Sequence, residues 1–261
     1  MVDKALAIAI TVHNGKVRRV SGAPVFEEHI MAVANLSHQI ALSKCEAGAE
    51  IDPVDALVAG LLHDCVEDYA WQLGDHDARK EAMQSMFKLI QELFPEEISR
   101  SVYWLTVNLC DNQQLYYPPW LDGYQKTILE TEMWKIKLPI ASELSKVVKL
   151  ADLALNTHDM KVAPDGSQVN GPLQLKIAQR MQIVRIICNV HYQVAQYVMD
   201  NLMGINEESL IILSLSEQNT VLQQIMRINS HKTDRDHGSP VITPPGHFAG
   251  VVSLQTQVQG S

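Results

Sequence analysis

The string His63-Asp64-Cys65-Val66-Glu67-Asp68 concentrates the groups in this sequence that can do chemistry. On an α-helix at about 100° per residue, His63, Glu67, Asp64 and Asp68 fall within an arc of about 140°. The apolar stripe of Val54, Leu57, Val58, Leu61, Leu62 and Val66 lies opposite. One imidazole and three carboxylates packed on one side repel one another unless a cation sits among them. Ala56, Ala59 and Gly60 precede them on the same side, small enough for a second helix to approach closely. Ligands from two helices can then meet at one point. Two further positions suit such a site. His29 follows Phe26 and precedes Met31, Val33 and Ala34, while Asp152 ends the run Val147-Val148-Lys149-Leu150-Ala151-Asp152. A lone carboxylate in an apolar helix is costly, so Asp152 is expected to have a cation or hydrogen-bond partner. The dipeptide His-Asp recurs at His76-Asp77 and His158-Asp159, in polar settings that read as solvated surface. Cys65 has no ligand spacing and reads as core.

The elements that must position these residues are helical throughout. Asp3 is placed to cap a first helix that runs to His13, where Asn14-Gly15 breaks it. A basic, irregular stretch follows at 16–22, and a second helix is expected over 24–45. Asp52-Pro53 opens the third helix with an N-cap, a proline at the first helical position and Asp55 on the first turn. Its apolar residues recur at three- and four-residue steps, and the helix is expected to continue through Asp68. Further helices are expected over 80–94, 95–109, 124–137, 142–155, a long one over 173–203, and another over 207–228. Residues 111–123 and 161–172, with their prolines and glycines, read as loops. No stretch alternates as a strand does, and the fold class is all-α. From Asn229 onward the composition turns to His, Ser, Pro, Gly, Thr and Gln, the signature of a polar, mobile tail outside the core.

Composition narrows the function. Thirty acids against twenty-one bases give a formal charge of −9 over 261 residues. Binding nucleic acid through a broad surface normally requires a basic protein, so no nucleic-acid partner is expected. No apolar run reaches the roughly 18–20 residues that span a bilayer, so no membrane partner is expected either. The first ten residues, with Asp3 and Lys4, lack the apolar stretch of a secretory signal. A cytoplasmic protein is the expectation. Cys45, Cys65, Cys110 and Cys188 are far apart, which fits reduced thiols rather than a disulfide framework or zinc ribbon.

Taken in order, His29, His63-Asp64 and Asp152 form an H…HD…D pattern that resembles the HD-domain metal-dependent phosphohydrolases. The longer string at 63–68 is similar to the HDxxED motif of the RelA/SpoT-type (p)ppGpp hydrolases and their small stand-alone relatives. Arg18-Arg19 and Ser21-Gly22-Ala23-Pro24 ahead of His29 agree with that branch. So does Lys149-Leu150-Ala151-Asp152 with Asn156, which resembles its KLADRLHN segment. The resemblance covers roughly 2–160 and fades toward 200. It implies a helical-bundle HD domain over 1–200, followed by a helical extension over 201–228 and the tail over 229–261. It also implies that His29, His63, Asp64 and Asp152 ligate one divalent cation, Mn²⁺ in most of the family. Glu67 and Asp68 would orient or deprotonate the attacking water. Lys16, Arg18, Arg19, Ser21, Lys126, Lys149 and Asn156 would contact a small nucleotide substrate. Ligands of imidazole and carboxylate suit Mn²⁺, Fe²⁺ or Zn²⁺ about equally.

The substrate side departs from the branch. Val25, Ile30, Tyr69, Leu153 and His158 stand where the branch usually has tyrosine, proline, threonine and two arginines, and more chain separates Asp68 from Asp152 than in compact members. The leading reading is a stand-alone hydrolase that removes the 3′-pyrophosphate from (p)ppGpp or a related nucleotide. The alternative is another HD-type phosphohydrolase acting on a dNTP, a nucleoside monophosphate or an NADPH-like dinucleotide. A catalytically silent nucleotide-binding module comes third, because it has no reason to keep all six centre residues.

Overall fold

The computed structural model describes residues 1–19, 21–73, 76–106, 122–162 and 173–210. Among them the architecture is all-α, as expected. The order is α1 (Val2–His13), a π-helical turn (Phe26–Ile30), α2 (Met31–Glu46), α3 (Pro53–Leu62), α4 (Cys65–Trp71), α5 (His76–Leu93) and α6 (Glu96–Leu105). It continues with α7 (Gly123–Ile140), α8 (Glu143–Val162), α9 (Leu173–Ile187) and α10 (Tyr192–Leu210). The stretch at 211–261, which holds the expected tail and most of the expected last helix, lies outside the described residues. Most of the two expected loops does too.

Local chemistry explains two of the starts directly. Asp52 accepts a hydrogen bond from the Val54 N–H at 2.7 Å with Pro53 at the first helical position. Asp122 and Gln125 form a capping box that starts α7. At α1 the expectation needs correction: the helix already begins at Val2, so Asp3 sits inside the first turn, where its charge suits the helix dipole. The stretch after Gly15 is also more ordered than expected. The Arg18 N–H donates to the Ala23 carbonyl at 2.8 Å and the Val25 N–H to the Lys16 carbonyl at 2.9 Å, closing a tight turn. Gly22 supplies the φ of +72° that this turn requires.

Two helices expected to be continuous are broken. The third ends at Leu62, and α4 restarts at Cys65, so 63–68 is not one helical face. The long C-terminal helix breaks between Ile187 and Tyr192, and α10 folds back against α8 and α9. The Lys44 ammonium donates to the Val190 carbonyl at 2.9 Å, which satisfies a backbone acceptor released by that break.

Two apolar clusters meet along α3. Ala56 and Ala59 face a core built with α2, α7, α8, α9 and α10, whereas Val58, Leu61 and Leu62 face one built with α1, α4, α5 and α6. The small residues of α3 do admit a second helix. A Cβ placed on Gly60 would lie 2.6 Å from the Ala34 Cα, so α2 rests directly on the α3 backbone. Lys137 ties the second half together: it is buried, and its ammonium donates to the Tyr103 and Thr106 carbonyls at the C-terminus of α6.

Candidate metal centre and adjoining pocket

His29 comes from the π-helical turn at the start of α2, His63 and Asp64 from the break after α3, and Asp152 from the middle of α8. Such turns put an extra residue into a helix and recur at functional sites. Here the turn brings the His29 Nε2 to 3.5 Å from the Asp152 Oδ1 and 3.8 Å from the Asp64 Oδ2. The His63 Nε2 lies 3.0 Å from the Asp64 Oδ2 and 3.9 Å from the Asp152 Oδ1. Donor atoms about 2.1 Å from a common ion sit about 3–4 Å apart; His29, His63 and Asp64 are close enough together to hold one cation, and Asp152 lies beside them within reach of both imidazoles. The break at His63-Asp64 is what allows adjacent residues to point to the same place.

The orientation of the imidazoles agrees. The His63 Nδ1 lies 2.7 Å from the Gly60 carbonyl, a contact in which the nitrogen donates and leaves the Nε2 lone pair for a metal. That Nε2 is buried and makes no well-formed hydrogen bond, the state of an atom whose partner is an ion. Two imidazole nitrogens and one carboxylate oxygen of this kind fit a divalent metal, with the Asp152 carboxylate adjacent.

Charge favours a cation. Burial disfavours a charged His63, yet Asp64, Asp152 and the Gly60 carbonyl overcome it and push its pKa up to about 9. Burial also works against ionised Asp64 and Asp152. His63 and His29 nevertheless hold Asp64 well below the usual carboxylate range, and Lys149, His29 and His63 do the same for Asp152. Asp152 is further fixed by its own helix: the Lys149 Nζ lies 2.8 Å from its Oδ2, and the Asn156 side-chain amide donates to its Oδ1. Lys149 in turn rests over the Trp134 ring at 4.4 Å.

A cavity of about 280 Å³ opens beside this cluster. Asp64, Glu67, Asp152 and Asn156 line one side; Lys126, Glu130, Lys176 and Arg180, from α7 and α9, line it as well. Of the expected substrate contacts, Lys126, Lys149 and Asn156 are therefore in the cavity wall.

The others lie outside the cavity wall. Asp68 does not join Glu67 at the cavity; restarting the helix at Cys65 turns it toward α1. There its Oδ2 sits 3.1 Å from the His13 Nδ1 and 3.0 Å from the Lys16 Nζ. Lys16 is therefore occupied by Asp68. Arg18 forms an ion pair with Asp159, the Ser21 hydroxyl donates to Glu28, and Arg19 is exposed. Asp159, expected to be free surface, is a partner. Cys65 is buried core, as expected.

Residues 26–155 match the family model of the HD domain. The chain belongs to the HD-domain family. Its members are metal-dependent phosphohydrolases, and all four converging residues lie inside the matched segment. A comparison with curated proteins finds no match. Among solved structures, the chain is similar to one described as a metazoan ortholog of SpoT that hydrolyses ppGpp and plays a role in starvation responses. The identity is 22% and the TM-score 0.42, over 87% of this chain and 94% of that one.

The HD match stops short of α9, and the sequence reading, which included that helix in the domain, placed no site residue on it. Lys176, Gln179 and Arg180, together with Glu130 on α7, belong to the cavity wall and were missed. A signal was present: Lys176, Gln179 and Arg180 recur at three- and four-residue steps on a helix otherwise rich in buried apolar residues.

Proposed function

We propose that this HD domain removes the 3′-pyrophosphate from (p)ppGpp or a closely related nucleotide. The observation that carries the reading is the convergence of His29, His63, Asp64 and Asp152 at a cavity that also gathers Lys126, Lys149, Lys176 and Arg180. Those four residues would hold the divalent ion, Mn²⁺ by the resemblance. When bound, such an ion lowers the pKa of a water and polarises a phosphate oxygen. Glu67, on the first turn of α4 and open to the cavity, accepts the proton of the attacking water. Lys149 and Asn156 hold the Asp152 carboxylate in place and offer their remaining donors to the substrate. Arg18, paired with Asp159 in the free protein, and Arg19 are assigned to its phosphates. Asp68 acts indirectly by anchoring Lys16. The hydrolase unit is assigned to 1–200, with 201–228 and 229–261 as appendages, and the enzyme is assigned to the cytoplasm.

A second reading, a broader HD-type nucleotide phosphohydrolase, is favoured by one observation: Lys16, Arg18 and Lys176 are each held by an acid, which reduces the charge on offer to a many-phosphate substrate. Incubation with Mn²⁺ and a panel of ppGpp, pppGpp, NADPH, dNTPs and nucleoside monophosphates separates the two. Release of pyrophosphate from ppGpp, lowered about 10²–10⁴-fold in Glu67→Gln, is the expected result. No ppGpp turnover with any divalent metal, alongside turnover of another nucleotide, would refute the first reading in favour of the second.

A further inference from the structure

The cavity wall contributed by α7 and α9 contains an acid for which a phosphate-binding surface has no obvious use. Glu130 lies at the centre of that wall with 16% of its side chain exposed. Its Oε2 accepts from the Lys176 Nζ at 3.0 Å and from the Gln179 side-chain amide at 3.2 Å. Its Oε1 lies 3.9 Å from the Lys126 Nζ. The Gln179 amide also donates to the Thr127 carbonyl at 3.2 Å, which anchors the group to α7. One carboxylate is thus shared between two lysines on different helices.

Burial disfavours the ionised acid, but Lys176, Lys126 and Gln179 more than compensate and hold its pKa below the ordinary value. Glu130 therefore stays charged at neutral pH. The trio Lys126–Glu130–Lys176 carries one net positive charge, where two unopposed lysines would carry two. Arg180 adds a further positive charge to this wall, while on the other side Lys149 is paired with Asp152, and Asp64 and Glu67 leave a negative excess at the metal centre.

We propose that Glu130 is a specificity-determining residue that sets how much anionic charge the pocket accepts beyond the group held at the metal centre. The site is tuned for a ligand that brings its scissile phosphoryl group to the metal and limited charge to the α7–α9 wall. A phosphate arriving at that wall must compete with Glu130 for Lys126 and Lys176. This rests on the proposed reading of the cavity as a nucleotide pocket, but not on (p)ppGpp being the substrate.

The test is a pair of substitutions of opposite charge, read by calorimetric binding of two ligands on one scaffold. Guanosine 5′-monophosphate and guanosine 3′,5′-bisphosphate are titrated into Mn²⁺-loaded and metal-free protein. Glu130→Gln removes the competing charge while keeping the side-chain shape. It is expected to tighten the bisphosphate about tenfold and to leave the monophosphate within about twofold. Lys176→Gln removes one positive charge and is expected to weaken the bisphosphate about tenfold with the same small effect on the monophosphate. A charge-assisted contact of ordinary strength accounts for changes of this size.

If Glu130 serves only to join α7 to α9, both variants lose affinity for both ligands, and the proposal is overturned. It is likewise overturned if the bisphosphate-to-monophosphate affinity ratio moves in the same direction in the two variants. Should Glu130→Gln fail to fold, the ratio in Lys176→Gln alone decides: an unchanged ratio refutes the proposal. Failure of the (p)ppGpp reading appears instead as absent ppGpp turnover with the two binding ratios still moving in opposite directions.

Discussion

Replacing Gly60 with alanine tests whether the α2–α3 contact sets the geometry of the metal centre. The added Cβ would lie 2.6 Å from the Ala34 Cα and 3.2 Å from its backbone nitrogen. Carbon atoms in ordinary contact are about 3.5–4.0 Å apart, so the two helices must separate by about 1 Å. No flexible side chain can absorb the clash, since the opposing atoms are backbone. Overpacking of this kind costs about 1–3 kcal/mol, against a gain in helix propensity of at most about 1 kcal/mol. A net loss of about 1–2 kcal/mol is expected, which lowers Tm by about 2–8 °C for a protein of this size. The same movement carries the His29 Nε2 away from Asp64 and Asp152, now 3.8 and 3.5 Å distant. Separations beyond about 4.5 Å can no longer span one ion. Mn²⁺ affinity, measured by calorimetric titration, should fall at least tenfold. Gly204→Ala is the control, because a Cβ there meets nothing within 4 Å. If Gly60→Ala melts with the wild type and takes up Mn²⁺ equally well, the contact does not position the site.

Three further outcomes are expected. Asp64→Ala and Asp152→Ala should each abolish Mn²⁺ uptake by calorimetry, and retained stoichiometric uptake in either would remove that residue from the ligand set. Asp68→Asn should reduce kcat far less than Glu67→Gln, because Asp68 faces His13 and Lys16; equal losses of kcat would return Asp68 to the chemistry. Glu130 has a folded-state pKa below its ordinary 4.5, so its stabilising contribution is fully present above that value and fades as the pH falls through the lowered one. Urea unfolding of wild type and Glu130→Gln should therefore differ by a constant amount near neutrality and converge in acid; a difference that grows with acidification would contradict the ion-pair arrangement.

Periodicity and caps made most of the fold legible. Asp52-Pro53 marks the start of α3, and the small residues Ala56, Ala59 and Gly60 mark the face on which α2 packs. The breaks were not legible, because each depends on contacts distant in sequence. Nothing local to residues 63–64 forbids a continuing helix. Interrupting it there lets His63 and Asp64 face the same point while Glu67 remains at the cavity and Asp68 reaches α1. The sequence argument placed all four on one helical face and so identified the right residues through a geometry that the chain does not adopt. The tight turn that pairs Arg18 with Asp159 was hidden for the same reason: those partners are about 140 residues apart.

The two halves of the candidate site differ in how the sequence encodes them. The cation-binding half is written in short strings, because a ligand set needs particular residue types at particular steps and apolar neighbours that bury them. The α7–α9 half has no such string. Lys126, Glu130, Lys176, Gln179 and Arg180 are ordinary polar residues, and each becomes part of a wall only where α9 packs on α7. That packing is tied to the turn between α9 and α10, whose Val190 carbonyl is held by Lys44 of α2, the same helix that follows His29. A chain with one unbroken helix from 173 to 203 would direct its C-terminal half away from α8 and lose that support. Under the proposed reading, selectivity in this HD domain depends on the relative placement of helices, whereas the metal set depends on short motifs. Under that reading an HD-type metal set and a substrate wall encoded elsewhere are compatible in one chain, with His29, His63, Asp64 and Asp152 on one side and the Glu130–Lys176 pair on the other.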